Sequence, residues 1–341
     1  MLKTALRRVW RDPGTVQFGT DPARAVVLSG VDDAVATVLG ALDGSRDLDQ
    51  IHDVARRCGL TTSDADALLD QLRTASVLDD GAAATGLADQ RGLRSLLPWE
   101  RQQLSADHAV WADQGAVPGR AGDRLRRRRK AGVRVVGTGR VGAQLAVLLA
   151  AGGVAAVEPI DQGLTQPADL APGGLSHTML DQARSDAVRD RIADTAPTAS
   201  TSVADPDVVV LVGRTALLEV PHLMRAARAH LVVDVRPGST LIGPFVRPGT
   251  SACSGCLDRF RTDRDARWPT VAAQLSADHD DAVDVGTAAV AAALAALQVF
   301  MHVDGDVPTA VNALLDVRLP DAATVWRPLS PHPLCGCTWP G

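Results

Sequence analysis

Two rhythms of apolar and polar positions run along this chain. Up to residue 80 the apolar positions come in short clusters between polar caps. Residues 16–18 and 25–28 are strand candidates around the turn at Asp21-Pro22. Asp32 and Asp33 can cap a helix whose apolar positions are Val35, Val38, Leu39 and Leu42, ended by Asp43-Gly44. Asp47 opens a second helix with Leu48, Ile51, Val54 and Ala55 on one face. Ser63 followed by Asp66 reads as a capping box ahead of Ala67, Leu68 and Leu72. Val77-Leu78 closes the set as a short strand. This order predicts a small winged-helix-like α+β domain over residues 1–80.

From residue 132 the rhythm becomes βαβ. Residues 133–136, 154–160, 208–212 and 231–235 are short apolar runs, as buried parallel strands are. Residues 144–151 read as an apolar helix. A second helix is predicted over 216–229, with Pro221 in its first turn. Between the two rhythms, 81–131 reads as a linker region, with Gly- and Pro-rich stretches at 81–86 and 115–122. Its run of Arg124, Arg126, Arg127, Arg128, Arg129 and Lys130 could form an anion or nucleic-acid patch, but with no matching aromatics it reads as a solvated segment leading into a strand. Val285 to Val303 carries no Asp, Glu, Lys or Arg, but is rich in Ala and includes Thr287, Gln298 and His302. It is predicted to be a buried helix and not a membrane span.

Composition narrows the function classes. At 46% hydrophobic and 22% charged residues, disorder over most of the 341 positions is excluded. Aromatics are 3%, with no Tyr, and the formal net charge is −5. The scarcity of base-stacking platforms and the mild acidity argue against nucleic-acid binding. The N-terminal MLKTALRRVWRDPG lacks the apolar core of a signal peptide, so the expected location is cytoplasmic.

Two motifs carry candidate chemistry. Gly137, Gly139 and Gly142, with Arg140 inside the loop, follow a predicted strand and open a predicted helix. Glycines there let the backbone turn tightly and approach a phosphate at a helix N-terminus. Asp161 follows the next strand, which makes the unit Rossmann-like. It also stands near the acidic ribose position of dinucleotide-binding folds, so an NAD(P)-dependent oxidoreductase is one reading. The second motif is the set of cysteines. Five are too few for a disulfide scaffold. Cys253 and Cys256 form CxxC, and Cys335 and Cys337 form CxC near the C-terminus. Four thiolates around zinc leave no open coordination position, so the role is structural. Cys58 reads as a packed side chain.

Together these stretches resemble a family. VRVVGTGRVGAQLAVLLAAGGVAAVEPID, from Val133 to Asp161, resembles the ATP-binding core of the ThiF/MoeB branch of the ubiquitin-activating enzyme superfamily. GPFVRPGTSACSGCLDRFRTDRDARWP, from Gly243 to Pro269, and SPHPLCGC, from Ser330 to Cys337, resemble actinobacterial ThiF-like proteins. Those are related to the cyclodehydratase partner of thiazole/oxazole-modified peptide (bacteriocin) pathways. Residues 1–80 resemble a PqqD-like leader-peptide recognition element. The resemblance implies an α/β chain. A Rossmann-like ThiF-type domain with a zinc-bound C-terminal part would span 132–341, as a homodimer. Implied partners are a leader peptide or small protein and a YcaO-type modifying enzyme.

Active members of that family adenylate a carboxyl terminus with ATP and magnesium. Here the second acid of the family's DxD falls on Gly163, and the Arg of SNLxRQ on Pro172. The Lys of GxxK falls on Asp186, and the DxxxxR segment reads Gly213-Arg214-Thr215. Lys3 and Lys130 are the only lysines. Phosphate charge would go uncompensated in such a cleft unless Arg184, Arg189, Arg191 or Arg214 substituted. The expectation is a peptide-binding scaffold with adenylation reduced or absent. An active adenylyltransferase stands as the alternative.

Overall fold

A computed structural model describes residues 2–3, 6–78, 96–104, 107, 120–277 and 283–338. The chain divides into two compact units, 1–126 and 127–341. The expected linker at 81–86, and residues 115–119 of the other, lie outside the described residues.

The first unit opens with an antiparallel sheet, β1 (Arg8–Asp12), β2 (Thr15–Phe18) and β3 (Val26–Ser29), in the order β1-β2-β3. Three helices follow: α1 (Asp33–Ala41), α2 (Leu48–Arg57) and α3 (Thr62–Thr74). Val16, Phe18, Leu39, Ile51, Leu69 and Leu72 share one core. Asp32 accepts the Val35 N–H at 2.8 Å, and Asp47 forms a capping box with Gln50. The box on α3 is Thr61 with Asp64, not Ser63 with Asp66. Thr61 is the residue with extended backbone, and Asp66 pairs with His52 instead. The predicted closing strand reduces to a single bridge between Leu2 and Leu78. The expected winged-helix-like order is therefore three strands followed by three helices.

α4 (Arg120–Arg128) takes in the last residues of the expected second linker. Arg128, expected in solvent, is 3% exposed. Its Nε and Nη2 grip the Asp304 carboxylate at 2.8 and 2.6 Å, and its guanidinium lies 4.0 Å over the Phe300 ring. A buried cation needs such a partner. Its carboxylate comes from a distant part of the sequence.

The second unit is built on a seven-stranded sheet ordered β10-β9-β8-β7-β6-β4-β5. β4 (Gly132–Val136), β5 (Ala156–Ile160), β6 (Val208–Val212) and β7 (His230–Arg236) run parallel. β8 (Ser239–Val246), β9 (Ala313–Arg318) and β10 (Ala323–Pro328) extend it antiparallel. The helices of this unit are α5 (Arg140–Ala151), α6 (Arg184–Thr195), α7 (Val220–Arg225), α8 (Ser254–Arg264), α9 (Trp268–Ala277) and α10 (Val285–Val303). Val133, Val135, Val208, Val210, Leu231 and Phe245 join the main core with residues of α5, α6 and α10. The predicted helix over 216–229 is shorter: a 3-10 turn, Thr215–Glu219, and then α7, with Pro221 in its first turn. α10 is long and apolar enough to cross a membrane. Ala288, Ala292, Ala295 and Val299 bury one face of it in the core, while Leu297 is 53% exposed.

Candidate functional site

The glycine loop joins the C-terminal end of β4 to α5. Gly137 takes φ +88°, and a Cβ on it would strike the Val212 carbonyl. A Cβ on Gly142 would strike the carbonyl of Gly137. Both glycines are therefore demanded by the packing of loop against strand and helix. Gly139 caps α5 without a side chain.

Asp161, after β5, braces this loop. Its Oδ2 accepts the Thr138 N–H at 2.7 Å, and its Oδ1 accepts the Gly163 N–H at 2.7 Å. The Arg184 guanidinium stands 3.4 Å from Oδ2, and its Nε is 3.4 Å from the Asp169 carboxylate. Arg184 Nε also donates to the Leu164 carbonyl. A Cβ on Gly139 would lie 3.5 Å from Arg184 Nη1. Arg184, at the start of α6, thus covers the ground above the loop between two carboxylates.

Gly137, Gly139, Gly142 and Asp161 come together as the sequence predicts. Arg140 turns away to donate to the Val283 carbonyl at 2.9 Å. Among the other candidate substitute cations, Arg189 pairs with Asp186 and Arg191 with Asp194, while Arg214 stands 3.8 Å from Asp234. Lys130 precedes β4, at the end of that strand away from the loop. Arg184 was only one of four candidates in the sequence. The signal for it was the small residue at 163.

The four cysteines converge on one point. Cys253 caps the N-terminus of α8, and Cys256 lies in its first turn. The tail returns beside them: Gly249 N–H donates to the Cys337 carbonyl. The Sγ atoms of Cys253, Cys256, Cys335 and Cys337 all lie within 4.8 Å of one another. Individual separations are 3.9 Å (253–256), 3.6 Å (253–335) and 3.3 Å (256–337). Tetrahedral thiolate ligation at a Zn–S distance of about 2.3 Å calls for S···S separations of about 3.8 Å. The set can hold a metal ion.

Burial pushes the Cys253 thiol up to about 11 and raises Cys337 as well. Burial also raises Cys256, but hydrogen bonds with the His332 and Cys253 backbones and with the Cys337 and Cys335 thiols together leave this thiol below its ordinary value. Cys58 stands apart, as the C-cap of α2.

His332, beside the CxC pair in sequence, is 7% exposed. Its Nε2 lies 2.9 Å from Asp263, and its ring meets Phe260 edge-on at 4.7 Å. The Leu334 N–H donates to its Nδ1. This histidine shapes the turn that carries Cys335 and Cys337.

No family model and no curated protein matches the sequence. Solved structures match along the whole chain. E. coli MccB with ATP aligns at TM-score 0.70 and 13% identity, covering 99% of this chain and 98% of that one. The microcin C7 biosynthetic enzyme MccB in complex with N-formylated MccA aligns at 0.70 and 13%, covering 99% of each. PaaA aligns at 0.67 and 14%, covering 96% of this chain and 99% of that one. What this chain shares with them is the fold: a mixed α/β architecture on a parallel-rich sheet, matching the ThiF-like fold of MccB from end to end.

Proposed function

We propose that this chain is a ThiF-like member of the ubiquitin-activating superfamily that works as a peptide-binding scaffold. Residues 1–80 capture a leader peptide by pairing it with a sheet edge, β1 and β3 being the edges on offer. The 132–341 part dimerises and docks a modifying enzyme of the YcaO cyclodehydratase type in the cytoplasm. Peptide binding is supported by the fold shared with the microcin C7 biosynthetic enzyme MccB, solved in complex with N-formylated MccA.

One observation carries the claim of reduced adenylation. Both oxygens of Asp161 are engaged by the protein's own N–H groups, and Arg184 lies between Asp161 and Asp169. A cation already neutralised by two carboxylates has little left for phosphates. The position of the family's second acid is held by Gly163.

The alternative is an ATP- and magnesium-dependent adenylyltransferase. It draws on the intact loop of Gly137, Gly139 and Gly142, on Arg184 as the nearest cation, and on MccB having been solved with ATP. The NAD(P) reading rests on the glycine loop and Asp161 and accounts for neither the antiparallel strands nor the cysteines.

Zinc fits the four-thiol set. Cys253, Cys256, Cys335 and Cys337 would hold it, and it would pin the C-terminal tail to the start of α8. Pyrophosphate exchange with ATP and magnesium tests the reading. Peptide binding without exchange is the expected result, and peptide-dependent exchange would establish the adenylyltransferase instead.

A further inference from the structure

The first-unit sheet has two open edges, and they differ in chemistry. β3 reads VVLS and carries no charge. β1 reads RVWRD, follows Arg7 and is exposed at all five positions. Among the described residues no carboxylate pairs with Arg7, Arg8 or Arg11. Asp12, at the far end of the strand, accepts the Gly14 N–H. The helices behave differently: Arg46, Arg56 and Arg73 each pair with an Asp three positions away. Charge is segregated in the same sense. Residues 31–80 hold eleven Asp against four Arg, whereas residues 1–30 hold four Arg and Lys3 against Asp12 and Asp21.

The register fixes which groups of β1 face outward. The Gly19 N–H donates to the Arg7 carbonyl, so these two form a hydrogen-bonded pair of the β1–β2 ladder. Such pairs alternate with pairs whose N–H and C=O point away from the partner strand. Arg8 opposite Phe18 and Trp10 opposite Val16 are of the second kind. Their N–H and C=O groups therefore point to the open edge. Residues directly opposite one another put their side chains on the same face. Arg8 and Trp10 thus lie on the core side, with Phe18 and Val16. Phe18 and Val16 are buried while Trp10 is 44% exposed, so the covering layer stops at β2 and leaves an open shelf along β1. Val9 lies on the outer face with Gln17 and Val27.

A strand laid antiparallel along β1 would bond to the N–H and C=O of Trp10 and Arg8. Its residues opposite these two would stand two apart, both on the shelf. The first meets the indole and is best apolar; the second meets a guanidinium and is best a carboxylate. The next residue along meets Arg7 and is best acidic too. We propose that β1 is the edge that captures the peptide, and that the captured segment reads apolar, any residue, acidic, acidic. This names the substrate class of the peptide-capture reading and rests on it.

The test is fluorescence anisotropy of the full-length chain with fluorescein-labelled Thr-Thr-Leu-Val-Glu-Glu-Thr-Thr, against the same peptide with Gln for both Glu. The net charge of −5 opposes an acidic probe, so a preference for it reports a local site. Exposed ion pairs are weak, so the acidic probe is expected to bind about fivefold tighter, an advantage that fades with salt. Arg8→Glu changes an exposed side chain with no carboxylate partner, so the fold survives, and the preference should vanish. Trp10→Ser should weaken both probes by about the same factor. Val27→Glu, on β3, should leave both unchanged. Equal binding of the two probes, or a preference that survives Arg8→Glu, overturns the assignment to β1 while peptide capture stands. Binding lost in Val27→Glu and kept in Arg8→Glu moves the site to β3 and overturns it too. Binding of neither probe overturns the peptide-capture reading itself, and this inference with it.

Discussion

Arg184 occupies the space that a side chain at Gly163 would need: a Cβ there would collide with the Arg184 guanidinium. The two residues are complementary, since the lack of a side chain at one makes room for the cation at the other. Gly163→Ala should therefore cost about 1–2 kcal/mol by overpacking, with Arg184 displaced from Asp161. In an Arg184→Ala background the same change should cost almost nothing. Urea denaturation of the two single variants and the double variant gives the coupling, expected at about 1 kcal/mol. Additive effects would mean that Arg184 does not rest over Gly163 in solution.

The cysteine cluster makes a compositional prediction. Zinc should be present at one ion per chain in protein purified without chelator. Cys256→Ser removes a thiolate from the first turn of α8 and should abolish retention of the metal, with a loss of several kcal/mol of stability in the second unit. Elemental analysis together with thermal unfolding checks both. Full stability in thoroughly demetallated protein would show that the tail is held by packing alone.

The buried pair of Arg128 and Asp304 ties the end of α4 to the C-cap of α10. Asp304→Ala strands a desolvated guanidinium and should destabilise the fold by about 3–5 kcal/mol. Replacing both partners with apolar residues, as in Arg128→Met with Asp304→Leu, should cost clearly less, because no charge is left unpaired. A double variant worse than the single one would assign the cost to lost packing on Phe300.

Legibility in the sequence followed the range of the interaction. The valine runs of β4, β6 and β7 were readable because strands buried on both faces leave continuous apolar stretches. The glycine loop and the CxxC and CxC pairs were readable because spacing of a few residues fixes their geometry. β1 was not readable: all five of its residues are exposed, so no alternation marks it. Arg128 looked solvated within a basic run because its carboxylate lies 176 positions away. The burial of His332 against Asp263 and Phe260 depends in the same way on segments brought together only by the fold. The small residue at 163 was visible, but its meaning needed the position of Arg184.

His230 gives a pH prediction. It is fully buried at the start of β7; its Nδ1 lies 2.9 Å from the Arg228 carbonyl, and its Nε2 has no partner among the described residues. Burial lowers its pKa below the ordinary 6.5. In the folded chain the ring therefore stays neutral where the unfolded chain already takes a proton. Stability should be intact above pH 6.5 and fall as the pH drops from there towards the depressed folded value, at up to about 1.4 kcal/mol per pH unit from this group. His302, lowered first by burial and then by the Arg247 charge, adds to the slope in the same direction. Urea midpoints measured between about pH 7.5 and about pH 5.5 with zinc present should shift downward in the wild type. His230→Asn should flatten part of that slope, leaving the share due to His302. An identical slope in the variant would remove His230 as a source of the acid sensitivity.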